Sequence, residues 1–231
     1  MTVVFDQMKA DTRPVLPEQI LAGGVVAIAR GLPAGSALAV AAALMRGGVT
    51  AFEVTLNSDE ALSEVSTLVK RYAEQELLVG AGTVLDVQAA ARAVDAGARF
   101  LVTPHTDQAL LAWSVAHGVP MLAGAFTPSE MITAWQAGAA AIKLFPASVA
   151  GPAFVRECRG PFPHIPLIPT GGIDIDLAAD FVRAGAVAVG LGGWLMGNCE
   201  AAGVESRARQ VVAAIAAARH ERSPSTGETR S

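Results

Sequence analysis

Lysine is nearly absent from this sequence: Lys9, Lys70 and Lys143 are the only three, and fourteen arginines carry the remaining positive charge. There is no Lys/Arg-rich run, and a net charge of -4 offers no surplus for neutralising a phosphate backbone, which argues against a nucleic-acid partner. Cysteine is equally sparse. Cys158 and Cys199 are too few for a disulfide framework and lack metal-ligand spacing. His105, His117, His164 and His220 form no cluster, so no metal cofactor is expected. No apolar run approaches the length of a membrane span, and residues 1–14 lack the basic start and apolar core of a signal peptide. A reduced, cytoplasmic chain with no membrane partner is the expectation.

What the sequence does contain is 52% hydrophobic residues in 231, enough for a sizeable core. No composition shift marks an internal boundary. The expected organisation is an arm over 1–16, one domain over 17–220 that begins with a short helix near 17–22, and a polar, disordered tail over 221–231. Strand composition recurs at 24–30, 51–56, 77–83, 99–104, 120–126, 140–146, 166–170 and 186–192. Helical patterns lie over 36–46, 58–73 and 200–219, with others starting near Asp86, Thr106, Thr127, Gly151 and Asp174. Gly48, Gly97, Gly118, Gly138 and Gly185 each end a helix and precede an apolar run, the signature of a left-handed stop before a strand covered on both faces. Thr127-Pro128-Ser129-Glu130 reads as a capping box with proline at the first helical position. Eight alternating units predict a parallel (β/α)8 TIM barrel, with an open doubly wound sheet as the alternative.

The scarcity of lysine makes Lys143 conspicuous, because it lies inside an apolar strand. A buried ammonium without a partner is costly, so this side chain either finds a counter-charge or loses its proton and becomes a nucleophile. Strand alternation places Ala141, Lys143 and Phe145 on the barrel interior and Ile142 and Leu144 under the helices. The same alternation turns Glu53 and Thr55 inward. Glu53 is the one acidic residue expected within a strand. Lysine and glutamate inside one barrel suggest an iminium-forming nucleophile and a proton shuttle; a structural ion pair is the other reading.

Loops after the last two strands of a barrel commonly hold phosphate, and here they carry Thr170-Gly171-Gly172 and Gly192-Gly193. Arg30, ending strand one, suits bidentate binding of a carboxylate or phosphate, or a surface ion pair. Thr83 brings a hydroxyl to the same rim. His105 reads as a lining or solvent residue, and Trp113, Trp135 and Trp194 as packing.

Glu53-Val54-Thr55-Leu56, Gly80-Ala81-Gly82-Thr83-Val84, Thr127-Pro128-Ser129-Glu130, Lys143-Leu144-Phe145-Pro146-Ala147, Gly160-Pro161-Phe162-Pro163 and Pro169-Thr170-Gly171-Gly172-Ile173 together resemble the 2-keto-3-deoxy-6-phosphogluconate (KDPG) and 4-hydroxy-2-oxoglutarate (KHG) aldolase family. The resemblance spans about 17–218. It implies a metal-independent class I pyruvate aldolase, a homotrimer acting on a keto-acid sugar phosphate with no cofactor beyond a Schiff base on Lys143. In that resemblance Glu53 is the general acid/base, Thr83 and Thr170 lie near the pyruvate part, Gly171 and Gly172 contact phosphate, and Phe145 packs against the site. Two positions depart from the pattern. Asn57 stands where many members have a carboxylate-binding arginine, a feature shared with the phosphogalactonate (KDPGal) aldolases, so Arg30 is expected to supply that charge. Gly193 stands where many members have a serine. The implied reaction is cleavage of KDPG, and possible cleavage of KHG, to pyruvate; the galactonate epimer is the alternative substrate, and a phosphate-binding isomerase or synthase without a Schiff base is the alternative of another class.

Overall fold

A computed structural model describes residues 13–222 other than 74 and 76. After α1 (Glu18–Gly23) the strands and helices alternate: β1 (Val25–Ala29), α2 (Ala37–Arg46), β2 (Ala51–Thr55), α3 (Ala61–Tyr72), β3 (Leu78–Gly82), α4 (Val87–Asp95), β4 (Leu101–Val102), α5 (Gln108–Ala116), β5 (Met121–Ala125), α6 (Pro128–Gln136), β6 (Ala141–Leu144), α7 (Ala147–Arg159), β7 (Leu167–Pro169), α8 (Ile175–Arg183) and β8 (Val189–Leu191). Then follow α9 (Gly193–Met196) and α10 (Ala201–Arg222). The parallel strands run β7-β6-β5-β4-β3-β2-β1-β8, and a bridge between Thr170 and Gly190 joins the two outer strands into a barrel.

Local chemistry sets the punctuation. The five glycines expected to stop helices all have positive φ: 89° at Gly48, 102° at Gly97, 67° at Gly118, 101° at Gly138 and 110° at Gly185. A side chain at any of them would be strained. At the helix starts, Asp86, Asp107 and Asp174 each accept a backbone N–H with a side-chain oxygen. Thr127 and Glu130 form the full capping box, and N–H groups of Phe126 and Thr127 hold the Glu130 carboxyl below its ordinary range.

Alternation divides the core in two. Phe52, Val54, Ile142 and Leu144 pack outward under the helices. Val26, Leu78, Phe100, Leu122, Ala141 and Ile168 fill the barrel, sealed from below by Ile20 of α1. Apolar burial thus occupies the lower layers, and the layer above holds the polar side chains.

The edges differ from the sequence expectation. β4 covers two residues instead of six: the proline at 104 has no N–H to donate, and the Pro104–His105 backbone crosses so near Gly124 that a Cβ there would strike it. The seventh helix begins earlier, at Ala147, but breaks at Gly151 (φ 71°, ψ 167°), where its start was expected. α9 was not anticipated. At the termini, the described part of the expected arm, 13–16, packs on the barrel, with the Arg13 guanidinium 3.4 Å from the Trp135 ring centre and Leu16 buried, and Glu221 and Arg222 continue α10; 1–12 and 223–231 lie outside the described residues.

Candidate active site

The upper layer is hollowed by glycine. Glu53 pairs in register with Gly80, and Lys143 with Gly124, so two of the interior positions beside the charged residues carry no side chain. Gly82, at the top of β3, leaves the space that the Glu53 carboxylate enters, for a Cβ there would fall on that carboxylate. Gly190 makes room for the Thr170 side chain in the same manner.

Glu53 is 1% exposed, and its Oε1 has no hydrogen-bond partner among the described residues. An unpaired buried carboxylate oxygen is costly. Burial therefore pushes the Glu53 carboxyl above its ordinary range, while the positive charges of Lys143 and Arg30 pull it back part of the way. Lys143 is 6% exposed and makes no ion pair or hydrogen bond with another described residue; its Nζ lies 5.5 Å from the Phe145 ring centre. The lysine–glutamate pair is coupled through the field and not locked in a salt bridge.

Above them opens a cleft of about 670 Å³. It is lined by Arg30, Lys143, Phe145 and Thr170 and by the glycine pairs Gly171–Gly172 and Gly192–Gly193. Of the residues singled out from sequence, Glu53 lies below this lining, and Thr83 lies apart from it. Thr83 has φ 57° and faces a separate recess with Asp59 and Arg92. Gly171 and Gly172 have φ 99° and 67°, a left-handed backbone that glycine adopts without strain and that leaves their peptide groups uncovered by a side chain. Arg30 is exposed into the cleft and bonds no described residue. Thr55 donates its hydroxyl to Ala29 O at 3.0 Å, tying β2 to β1 directly beneath Arg30. Asn57 is exposed outside the lining.

Sequence reasoning missed part of the wall. Ser148, Met196, Asn198 and Cys199 also line the cleft. Ser148 was findable, since it follows the C-terminal end of β6 and that end of every barrel strand faces the active rim. The segment 196–199 gave no local signal. Its shape comes from Arg207 on α10, which donates to Leu195 O at 2.9 Å and Met196 O at 3.0 Å. Among the described residues no group of three or more His, Cys, Asp or Glu side chains is placed to hold a metal ion.

Comparison with known proteins points to one family. A family model for KDPG and KHG aldolases matches residues 18–213. The 2-dehydro-3-deoxy-phosphogluconate aldolase of Pseudomonas aeruginosa is 40% identical over 162 residues, covering 69% of this chain and 72% of that protein. A probable 2-dehydro-3-deoxy-6-phosphogalactonate aldolase of Rhizobium meliloti is 36% identical over 192 residues, covering 82% and 90%. A Legionella pneumophila KDPG aldolase structure, with pyruvate captured at low pH as a covalent carbinolamine intermediate, matches with TM-score 0.73 at 27% identity, covering 87% of this chain and 96% of that one.

Proposed function

The chain belongs to the KDPG and KHG aldolase family of carbon–carbon lyases, and from that premise we infer that it is a cytoplasmic class I aldolase cleaving 2-keto-3-deoxy-6-phosphogluconate through a Schiff base on Lys143. The observation that carries this reading is the buried pair Lys143 and Glu53, the carboxyl raised by burial, beneath a cleft with Arg30 and a glycine cradle. The amine of Lys143 attacks the C2 carbonyl. Glu53, whose raised carboxyl retains a proton more readily than an exposed one, donates it to the carbinolamine hydroxyl, and water leaves to give an iminium. The resulting carboxylate takes the C4 hydroxyl proton as the C3–C4 bond breaks, and the bonding pair flows into the iminium to form an enamine. Glyceraldehyde 3-phosphate departs. Protonation of the enamine at C3 and addition of water release pyruvate and restore the lysine.

Arg30 holds the substrate carboxylate in this reading, and the N–H groups of Gly171 and Gly172 bind the phosphate. Thr170 and Phe145 flank the pyruvate part, and Gly192 and Gly193 form the far side of the phosphate cradle. The iminium is itself the electron sink, so the cycle needs no metal. A shorter substrate, KHG, would yield glyoxylate and leave the cradle unused. Borohydride added with pyruvate, followed by peptide mass spectrometry, tests the mechanism: a reduced pyruvate adduct on Lys143 is expected, and a folded protein with no labelled lysine would sink it.

One observation favours the galactonate epimer as substrate: Arg30 lines the cleft while Asn57 stands outside it. Ratios of kcat/KM for the two epimers decide between them. A homotrimer is the assembly we infer, supported by exposed apolar side chains beside the site, Val149 at 72% and Phe126 at 37% exposure. Light scattering at working concentration reports the mass, and a monomer would remove that part of the reading.

A further inference from the structure

We propose that Ser148 binds the substrate phosphate, supplying the side-chain hydroxyl that the end of β8 lacks. This rests on the aldolase reading above and extends its phosphate end. The backbone N–H of Ser148 donates to Gly171 O at 3.0 Å, which fixes the residue against the glycine turn. Its side chain lies so close to Gly172 that a Cβ there would come within 2.7 Å of both Cβ and Oγ. The side chain is exposed, lines the cleft, and its Oγ has no hydrogen-bond partner among the described residues. A hydroxyl held beside two left-handed glycines is a donor awaiting an acceptor.

At the end of β8 the glycine turn has no such hydroxyl; farther along that wall Asn198 accepts from the Glu200 N–H at 3.3 Å with its Oδ1. Gly192 and Gly193 offer backbone alone, and a Cβ built on Gly193 meets nothing within 4 Å. A phosphate dianion has three terminal oxygens to satisfy, and backbone donors from glycine turns leave a place for one hydroxyl. Ser148 fills it from the β6 side, next to the strand that carries Lys143. The same open space means that a hydroxyl restored at 193 would fit without displacing a neighbour.

The test uses the full chain and two variants, Ser148→Ala and the double variant Ser148→Ala/Gly193→Ser. Losing a hydrogen bond to a charged group predicts a fall of roughly 10- to 100-fold in kcat/KM for the phosphorylated substrate, carried mainly by KM. The fall with KHG should be smaller by about tenfold or more, since that substrate has no phosphate to bind. Calorimetry with inorganic phosphate should show weaker binding in Ser148→Ala and recovery in the double variant. Equal losses for both substrates, or unchanged phosphate affinity, would overturn the assignment. Failure of the underlying aldolase reading looks different: the parent protein would turn over neither substrate, and the phosphate titration would still decide the role of Ser148.

Discussion

The two ends of the barrel treat their polar groups in opposite ways. At the bottom, Arg219 reaches from α10 and donates to the carbonyls of Leu21, Ala22 and Val187 at 2.6 to 2.8 Å. At the top, Arg30 bonds no described residue, Lys143 has no ion-pair partner among them, and Glu53 Oε1 is buried without a hydrogen bond. A fold selected only for stability would satisfy both ends. The contrast supports the proposed function: one end uses its charge for closure, and the other leaves charged side chains unpartnered among the described residues, beside the cleft.

The sharpest way to break this contrast is Lys143→Ala. Turnover should fall to background while the far-ultraviolet circular dichroism spectrum stays intact; retention of most of the aldolase activity would refute the iminium. Glu53→Gln comes next, with an expected loss of about 10²- to 10⁴-fold in kcat, as for removal of a general acid/base.

The same substitution should stabilise the fold. Because burial raises the Glu53 carboxyl above its ordinary value of 4.5, the folded protein keeps a proton that the unfolded chain releases. Stability is therefore lost as pH rises above 4.5, until the folded carboxyl ionises as well. Glutamine has no such linkage. Thermal melts should show Glu53→Gln higher in Tm at neutral pH, by about 2–4 °C for each ~1 kcal/mol, with the gap closing as pH falls toward the unfolded value. A gap that widens on acidification would reverse the assigned direction.

The arginines sharpen the comparison with smaller effects. Arg30→Ala should lower kcat/KM for keto acids by roughly 10- to 100-fold, the worth of a lost hydrogen bond between charged groups, and leave Tm nearly unchanged. Arg219→Ala should do the reverse, costing about 2–3 kcal/mol in denaturant unfolding by orphaning carbonyls, with kinetic constants close to those of the parent. If Arg219→Ala damages kinetics as strongly as Arg30→Ala, the two ends are not independent.

The upper half of this division was legible in the sequence; the closure by Arg219 was not, since nothing local marks its distant carbonyl partners. Period-two alternation placed Glu53 and Lys143 inside because the flanking Phe52, Val54, Ile142 and Leu144 require cover from the helices. The helix-stopping glycines were legible because a positive φ is a local demand. β4 was drawn too long because the crossing at Gly124 is a nonlocal restriction, while Pro104 was a local stop visible at the end of the run. The position of Thr83 outside the cleft lining could not be read from its strand-end position alone, and the wall at 196–199 depends on a guanidinium two turns into the helix that follows it, a contact with no sequence motif.

That last dependence links the site to the order of synthesis. Lys143, Glu53 and all eight strands leave the ribosome before Arg207 does, yet the carbonyls of Leu195 and Met196 gain their guanidinium donor only when α10 docks. α10 reaches its place by packing on α2 and α8, where Gly47 gives way to Ala208 and Arg46 pairs with Glu205. A nascent chain that already holds Lys143 and Glu53 therefore still has an unfinished cleft. Keto acids would meet a finished site only after the helix that follows the barrel has folded back onto its first strand–helix unit.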